Sequence, residues 1–325
     1  MSRKISLCKE VVSEDLGQRV DVLTTKYFPQ FSRAHIQRWI KEGNLLLNDK
    51  KIKPRHIVTT GDLITVEASE EIILKDLPEE IDLDIIWEDK EVLVLNKPAG
   101  LVVHPGAGNT DGTLVNGLLN YSSDQGFLPR AGIVHRLDKD TSGIMVVAKS
   151  ELSYLNLVNQ LKDRTVKRQY LALVVGRPIS GGVINRPIGR HPKHRTKQAI
   201  IDSGKEAITD YKIEEKLNGY TLLLVSLRTG RTHQIRVHFS SEEFPIVGDP
   251  LYGGKQKFAP GTSEELKKEM SKLNRQALHA YSLSFMHPTD RKVITKTAPI
   301  PRDMEKLIIN LREHASNAGM RRARF

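Results

Sequence analysis

The chain has 325 residues, with 50 Lys and Arg against 39 Asp and Glu and a net charge of +11. That length accommodates two domains, and the positive excess favours a polyanionic partner over neutral metabolites. One cysteine, Cys8, excludes an intrachain disulfide and a cysteine-rich zinc site, and the first twenty residues lack the apolar centre of a signal peptide. With no apolar run long enough to span a bilayer, the expectation is a soluble, cytoplasmic, monomeric protein in a reducing compartment with no membrane partner.

The first predicted element is a helix. Ser32 suits its N-cap, Ile36, Trp39 and Ile40 fall on one face, and Gly43 suits its end. Short strands follow at 45–47 and 63–66, with turn residues Asn48, Asp49, Gly61 and Asp62 beside them. Arg33, Arg38 and Lys41 avoid the apolar face and, with Lys50, Lys51, Lys53 and Arg55, form one basic surface. On charge alone an ordinary solvated face explains them at least as well as an RNA contact does. The run from "GQRVD" (17–21) through "SRAHIQRWIKEG" to "VTTGD" resembles the S4 RNA-binding domain. The resemblance implies that Arg33, Arg38 and Lys41 meet RNA.

Residues 69–84, "SEEIILKDLPEEIDLD", shift composition sharply and contain Pro78, a natural boundary. Charge is segregated around it: residues 1–68 carry 12 basic and 8 acidic side chains, residues 69–91 carry 2 and 10, and the remainder 36 and 21. The expected organisation is an S4-like domain at 1–75, a larger domain at 76–315 and a basic tail at 316–325.

Beyond residue 84, "EVLVLNKPAG", "GIMVVAK", "QYLALVVG", "AITDYKIEEK", "YTLLLVSLRTG" and "HAYSLSFMHP" suit strands, with helices at 113–120 and 150–163 between them. No repeat or low-complexity tract is evident, so the expected fold class is α+β, with a large mixed, mainly antiparallel sheet in the second domain. "HPGAGNTDG" (104–112) spaces its glycines one residue too widely for a dinucleotide fingerprint and carries no Walker lysine, so a structural loop is expected. "HPKH" and "HQIRVH" set histidines among Arg and Lys without a zinc-ligand spacing, and no metal is expected.

"GIVHRLDKDTSGIMVVAKS" (132–150) reads as strand, charged loop, strand. Charge held between buried strands is costly unless paired or used, and the loop's Asp138 needs a cation. "RTGRTHQIRVHF" (228–239) supplies three arginines after a buried-looking strand, from which Arg231 points into a cleft as the expected partner of Asp138. From the residues alone a structural salt bridge and a catalytic use fit equally well. A basic loop at Arg186, Arg190, Lys193, Arg195 and Lys197 is the expected phosphate contact, against an ordinary solvated loop.

"HRLDKDTSG" (135–143) resembles the signature of the ribosomal large-subunit class of pseudouridine synthases, and the likeness extends through "KRQYLALVVG" (167–176), "LRTGRTHQIRVH" (227–238), "PIVGDPLYGG" (245–254) and "RQALHAYSLSFMHP" (275–288). With the S4 module it covers almost the whole chain, in the manner of the class's D type. The resemblance implies Asp138 as the essential aspartate, Tyr170 stacking on uracil and assisting proton removal from C5, Arg231 pairing with Asp138, and Arg136 helping to extrude the nucleotide. Lys97 and His104 are expected to shape the cleft wall, and Asp140 and Asp249 to cap turns.

The implied reaction breaks the N1–C1′ bond of uridine, turns the base and joins C5 to C1′, with no redox change and no cofactor required. A carboxylate of ordinary pKa (~3.9) is ionised near neutrality, ready to attack C1′ or take the C2′ proton. The base must leave its stack first. The implied partner is large-subunit rRNA or a pre-ribosomal particle. Other rRNA sites, tRNA, a non-catalytic assembly factor and a hydrolase with an Asp nucleophile are the alternatives.

Overall fold

A computed structural model describes residues 2–29, 31–71, 76–106, 108–194, 196–254 and 258–322, with backbone alone at 2, 3, 70, 71 and 315–322. The chain begins with strand β1 (Ser2–Glu10), helices α1 (Val20–Tyr27) and α2 (Arg33–Glu42), and strands β2 (Leu45–Leu47) and β3 (Leu63–Glu71). Antiparallel β3 lies between β1 and β2. The predicted cap of α2 forms: the Ser32 side chain accepts the His35 N–H at 3.3 Å, and Gly43 closes the helix at φ 81°, a left-handed conformation that glycine adopts without strain. Ile36, Trp39 and Ile40 are buried, and Phe31 meets the Trp39 ring edge-on with centroids 4.6 Å apart.

The rest follows as β4 (Ile85–Glu88), β5 (Val92–Lys97), α3 (Leu114–Tyr121), β6 (Ser142–Ala148), α4 (Glu151–Lys162), β7 (Lys167–Val175) and β8 (Gly182–Asn185). Then come β9 (Ile188–Arg190), β10 (Gln198–Ile200), β11 (Ile208–Leu217), β12 (Tyr220–Leu227), α5 (Gln234–Ser241), α6 (Glu264–Lys272), β13 (Leu278–Met286), β14 (Val293–Thr297) and α7 (Arg302–Arg322). Nine strands make one sheet in the order β4-β5-β6-β13-β7-β12-β11-β8, with β14 added to β13. The sheet is mixed and mainly antiparallel as expected, its parallel pair being β6 with β13. Strands β9 and β10 form a separate hairpin.

Burial explains the continuous apolar runs. All seven residues of β6 are buried, as are residues 170–174 of β7, because both strands lie inside the sheet with structure on each face. Residues 5–68 and 92–311 form separate apolar clusters. Gly143 of "DTSG" marks the closest approach of β6 to β13: at φ 119°, a Cβ there would stand 2.2 Å from the Ala280 carbonyl oxygen. Among the described residues no helix is long and apolar enough to cross a membrane.

Candidate active site

The charged loop precedes β6, but what enters it is not a strand. Ile133 makes one isolated bridge to Val147 and follows a tight turn at Arg130 and Ala131, both in the left-handed region. Three contacts fix the loop. The His135 Nε2 accepts the Val146 N–H at 3.1 Å, the Thr141 N–H donates to the Asp138 carbonyl at 3.1 Å, and Gln276 Nε2 donates to Thr141 Oγ1 at 3.0 Å. Beneath it the buried Lys97 Nζ donates to three carbonyls, those of Pro98, Leu101 and Lys139, at 2.7, 2.8 and 2.9 Å. Lys97 therefore acts as a strut under the loop.

The guanidinium on Asp138 belongs to Arg236, not to Arg231. Arg236 Nη1 donates to Asp138 Oδ2 at 3.0 Å, while its Nε and Nη2 donate to Asp249 Oδ2 and Oδ1 at 2.7 and 2.9 Å. Arg231 precedes α5, and its Nε turns away to the Glu206 carbonyl at 2.9 Å; Arg236, in the first turn of α5, is the arginine that the helix aims at the loop. Asp249 has the expected turn role, since Oδ1 also accepts the N–H groups of Leu251 and Tyr252 at 2.9 and 3.0 Å. Burial alone would raise the Asp249 pKa, but the Arg236 bonds outweigh it and hold the carboxyl below its ordinary range.

Two further groups complete the surroundings of Asp138. His233, at a strained φ of 57°, brings Nε2 to 3.9 Å from Asp138 Oδ1. Its Nδ1 lies 2.8 Å from the Tyr252 hydroxyl, which also accepts the Gln198 N–H at 2.8 Å. The Tyr252 ring lies against the Arg236 guanidinium, 5.1 Å from its centroid. Burial pushes the His233 pKa down, which keeps the ring neutral near pH 7.

Asp138 opens into a cleft of about 910 Å³, lined by eight Arg or Lys side chains and only two carboxylates, Asp76 and Asp138. Tyr170, Arg136 and Arg231 line the same cleft, so the structure gathers all four residues expected to be catalytic around one space. Tyr170 is buried on β7, and burial raises the pKa of its hydroxyl. Arg136 is exposed at the rim. His104 stands in the wall, as expected, with a pKa pushed down to about 4, first by burial and then by Arg130 and Arg136.

The expected RNA contacts lie elsewhere. In the N-terminal unit Arg38 and Lys41 are exposed on α2, but Arg33 bonds the fully buried Asp21 through Nη2 at 2.9 Å. Asp21 also accepts from Arg19 at 2.9 Å and from Gln37 at 2.6 Å. Burial would raise the Asp21 pKa, and these donors together hold it low. Arg33 remains 49% exposed, enough to meet a phosphate while tied to Asp21. Arg190 and Lys193 are exposed on the hairpin; Arg195 lies outside the described residues.

Helix α5 is wired to β11 and to the segment that enters the hairpin. Gln234 accepts the Arg231 N–H and the Thr229 hydroxyl, each at 2.9 Å, and donates to Thr209 Oγ1 at 2.9 Å. Thr209 bonds His238 Nδ1 at 2.9 Å, and the opposite ring nitrogen donates to the Arg186 carbonyl at 3.0 Å. These histidines are buried neutral. Burial lowers the pKa of His238 and of His279, and with Arg168 it lowers that of His135 to about 3. Unfolding frees each ring to bind a proton near pH 6.5, so stability is retained above that pH and lost as pH falls below it, at up to ~1.4 kcal/mol per pH unit for each histidine. Urea unfolding at pH 7 and pH 5 is expected to give a lower midpoint at pH 5, and His135→Gln to narrow the difference.

A carboxylate bound to a guanidinium, an aromatic wall and an arginine-rich cleft define the class: an enzyme that works on a nucleic acid. Residues 91–241 match the family described as RNA pseudouridylate synthase, and residues 18–64 match the S4 domain. The chain is 47% identical over 314 residues to the ribosomal large subunit pseudouridine synthase D of Xanthomonas campestris pv. campestris, covering 96% of this chain and 95% of that one. Its counterparts of the same name in Pseudomonas aeruginosa and Escherichia coli K12 are 45% identical over 313 residues and 44% over 309, covering 98% and 95% of their own lengths and 96% and 95% of this one. Among solved structures, human RNA Pseudouridylate Synthase Domain Containing 4 superposes with a TM-score of 0.56 at 27% identity, over 70% of this chain and 93% of that one. The chain belongs to the RNA pseudouridylate synthase family. It is an isomerase acting on RNA, with an S4 domain at its N-terminal end.

Proposed function

We propose that the protein converts specific uridines of large-subunit rRNA to pseudouridine, in a stem-loop of free rRNA or of a pre-ribosomal particle, with Asp138 as the reacting carboxylate. The observation that carries this reading is the Asp138–Arg236–Asp249 arrangement at the floor of a cleft rich in arginine; the names borne by relatives aligned over nearly the full chain support the choice of RNA. The division of labour follows the two larger apolar clusters: residues 1–75 bind RNA and 76–315 carry the reaction. The tail expected at 316–325 begins inside α7, and its residues 323–325 lie outside the described residues. The protein works in the cytoplasm as a monomer and without a cofactor.

The extruded uridine enters beside Tyr170. A phenol whose pKa is raised stays protonated and makes a poor base, so Tyr170 contributes its ring face to the uracil. Asp138, fixed by Arg236, attacks C1′ or removes the C2′ proton, and N1–C1′ opens. The base turns and C5 bonds to C1′ as the Asp138–C1′ bond breaks or as C2′ takes its proton back from Asp138; the C5 proton is then lost and N1 gains one. Arg136 at the rim fills the stack that the nucleotide left, and Arg231 meets the RNA backbone at the cleft wall.

Incubation of the purified protein with large-subunit rRNA, free or in pre-ribosomal particles, is expected to yield pseudouridine retained in the chain and no free uracil, read by mass spectrometry of nuclease digests. Free uracil would mean a hydrolase; bound but unaltered RNA would mean an assembly factor. Log Kd is expected to rise with log salt by ~0.7–0.9 per neutralised phosphate, and Arg190→Gln with Lys193→Gln to lower that slope by about two. An unchanged slope would remove the hairpin from the interface.

A further inference from the structure

Arg168 lies two residues before Tyr170 on β7, so both side chains leave the strand on one face, and both line the cleft. Of the other seven cations there, Arg231 is half-buried with its Nε on the Glu206 carbonyl, Lys162 is exposed, and the rest are neutralised or far out. Arg236 is held by two carboxylates, Arg228 by Asp210 and Arg164 by Glu206, whereas Arg130 and Arg136 are exposed. Arg168 is half-buried and, among the described residues, has no hydrogen-bond or carboxylate partner, its Nε being fully shielded with none. A shielded donor left unmet in the free protein needs an explanation. Its Nη1 rests on the turn after β12, 2.6 Å from where a Cβ on Gly230 would stand. The glycine of "TGR" thus makes room for this guanidinium beside Tyr170.

We propose that Arg168 is a catalytic residue that receives the negative charge of the uracil ring as N1–C1′ breaks, an inference that rests on the function proposed above. In that step the bonding electron pair stays on N1, and the charge spreads over N1, O2 and O4. C1′ is satisfied by a bond to an Asp138 oxygen or, after the C2′ proton passes to Asp138, by a double bond to C2′. When C5 attacks C1′ its electron pair forms the new bond, and either the Asp138–C1′ bond breaks or C2′ takes its proton back from Asp138; C5 then releases its proton and N1 takes one up, so the carboxylate is restored and the sum is an isomerisation. A preorganised guanidinium, aimed where charge develops and already shielded from water, lowers the barrier without reorganising.

The test exploits the leaving group. Fluorine at C5 withdraws electrons and stabilises the uracil anion by itself, and 5-fluorouridine has no C5 proton to lose. Large-subunit rRNA transcribed with UTP or with 5-fluoro-UTP is treated with excess full-length protein, and C-linked nucleosides are counted by mass spectrometry over time. Arg168→Gln is expected to slow conversion of uridine by ~10²–10³-fold and that of 5-fluorouridine by about tenfold or less, with Kd for the transcript changed less than threefold. Arg168→Lys is expected to recover part of the uridine rate. Gly230→Ala, which displaces the guanidinium but keeps its charge, is expected to reproduce the selective loss in weaker form, and it serves if Arg168→Gln does not fold. Equal slowing on both transcripts would overturn the proposal in favour of a structural role. A weakened Kd with a reduced salt slope and an unaltered rate would overturn it in favour of a phosphate contact. Absence of any C-linked product from the unaltered protein would instead defeat the underlying assignment of function.

Discussion

Asp138→Asn is expected to abolish isomerisation, lowering the single-turnover rate by ~10⁴–10⁶-fold, the range found when a reacting group is removed from a preorganised site. The amide keeps the size and shape of the carboxyl and can still accept from Arg236 Nη1. What it lacks is an anionic oxygen able to bond C1′ or take the C2′ proton. Folding is expected to change little, because Asp138 is partly open to the cleft and Asp249 continues to neutralise Arg236. RNA affinity is expected to hold, since phosphate contacts come from the surrounding cations. An rRNA filter-binding titration beside the rate measurement separates the two. A variant that binds and converts at more than about one hundredth of the normal rate would remove Asp138 from the reaction.

The second large effect is expected at Arg236. Its side chain is 7% exposed and joins two carboxylates, one of them fully buried. Arg236→Gln leaves the buried Asp249 without its cation, so a loss of ~3–5 kcal/mol in urea unfolding is expected, the cost of breaking a buried pair from one side. Activity is expected to fall at least ~10²-fold even where the variant remains folded, because Asp138 loses the donor that sets its direction. Arg231→Gln provides the contrast. That side chain bonds a single carbonyl, so its loss is expected to weaken RNA binding while leaving stability within about 0.5 kcal/mol. Equal destabilisation by the two substitutions would refute the distinction drawn between them.

The contrast also marks how far the sequence can be read. The α2 cap, the apolar strands and the charged loop that carries Arg136 and Asp138 follow from local chemistry, since each rests on a few neighbouring residues. The choice between Arg231 and Arg236 does not. Asp138 and Arg236 are 98 positions apart, and only the direction of the first turn of α5 decides which arginine arrives. A signal existed in "VGDPLYGG", where one acidic residue among apolar and small neighbours needs a cation as well as a turn; two carboxylates and one buried arginine form a set. Helix α7 was not among the expected helices, although Met304, Leu307, Ile308 and Leu311, all buried, stand at the spacing of one helical face. Strands β9 and β10 have three residues each and carry too little pattern for any periodicity to register. The tie between Arg33 and Asp21 was likewise hidden, because it joins the starts of two helices across a packed interface.

The gathering of residues is what charge counts miss. Composition indicates a polyanionic partner, but the cleft concentrates eight cations around Asp138; Gln234 and His238 tie α5 to Thr209 of β11, and Tyr252 joins His233, just before α5, to Gln198 of the hairpin that carries Arg190 and Lys193. RNA seated on that hairpin, as proposed, would be held in register with the helix that carries Arg236.

The central claim is that this carboxylate makes pseudouridine in large-subunit rRNA, and a pseudouridine map tests it most directly. Carbodiimide adducts, read by primer extension, are compared in rRNA from cells carrying the unaltered protein, Asp138→Asn, or neither. Extension stops at defined uridines only with the unaltered protein are the predicted result. Stops that persist with Asp138→Asn, or an rRNA map identical in all three, would contradict the account.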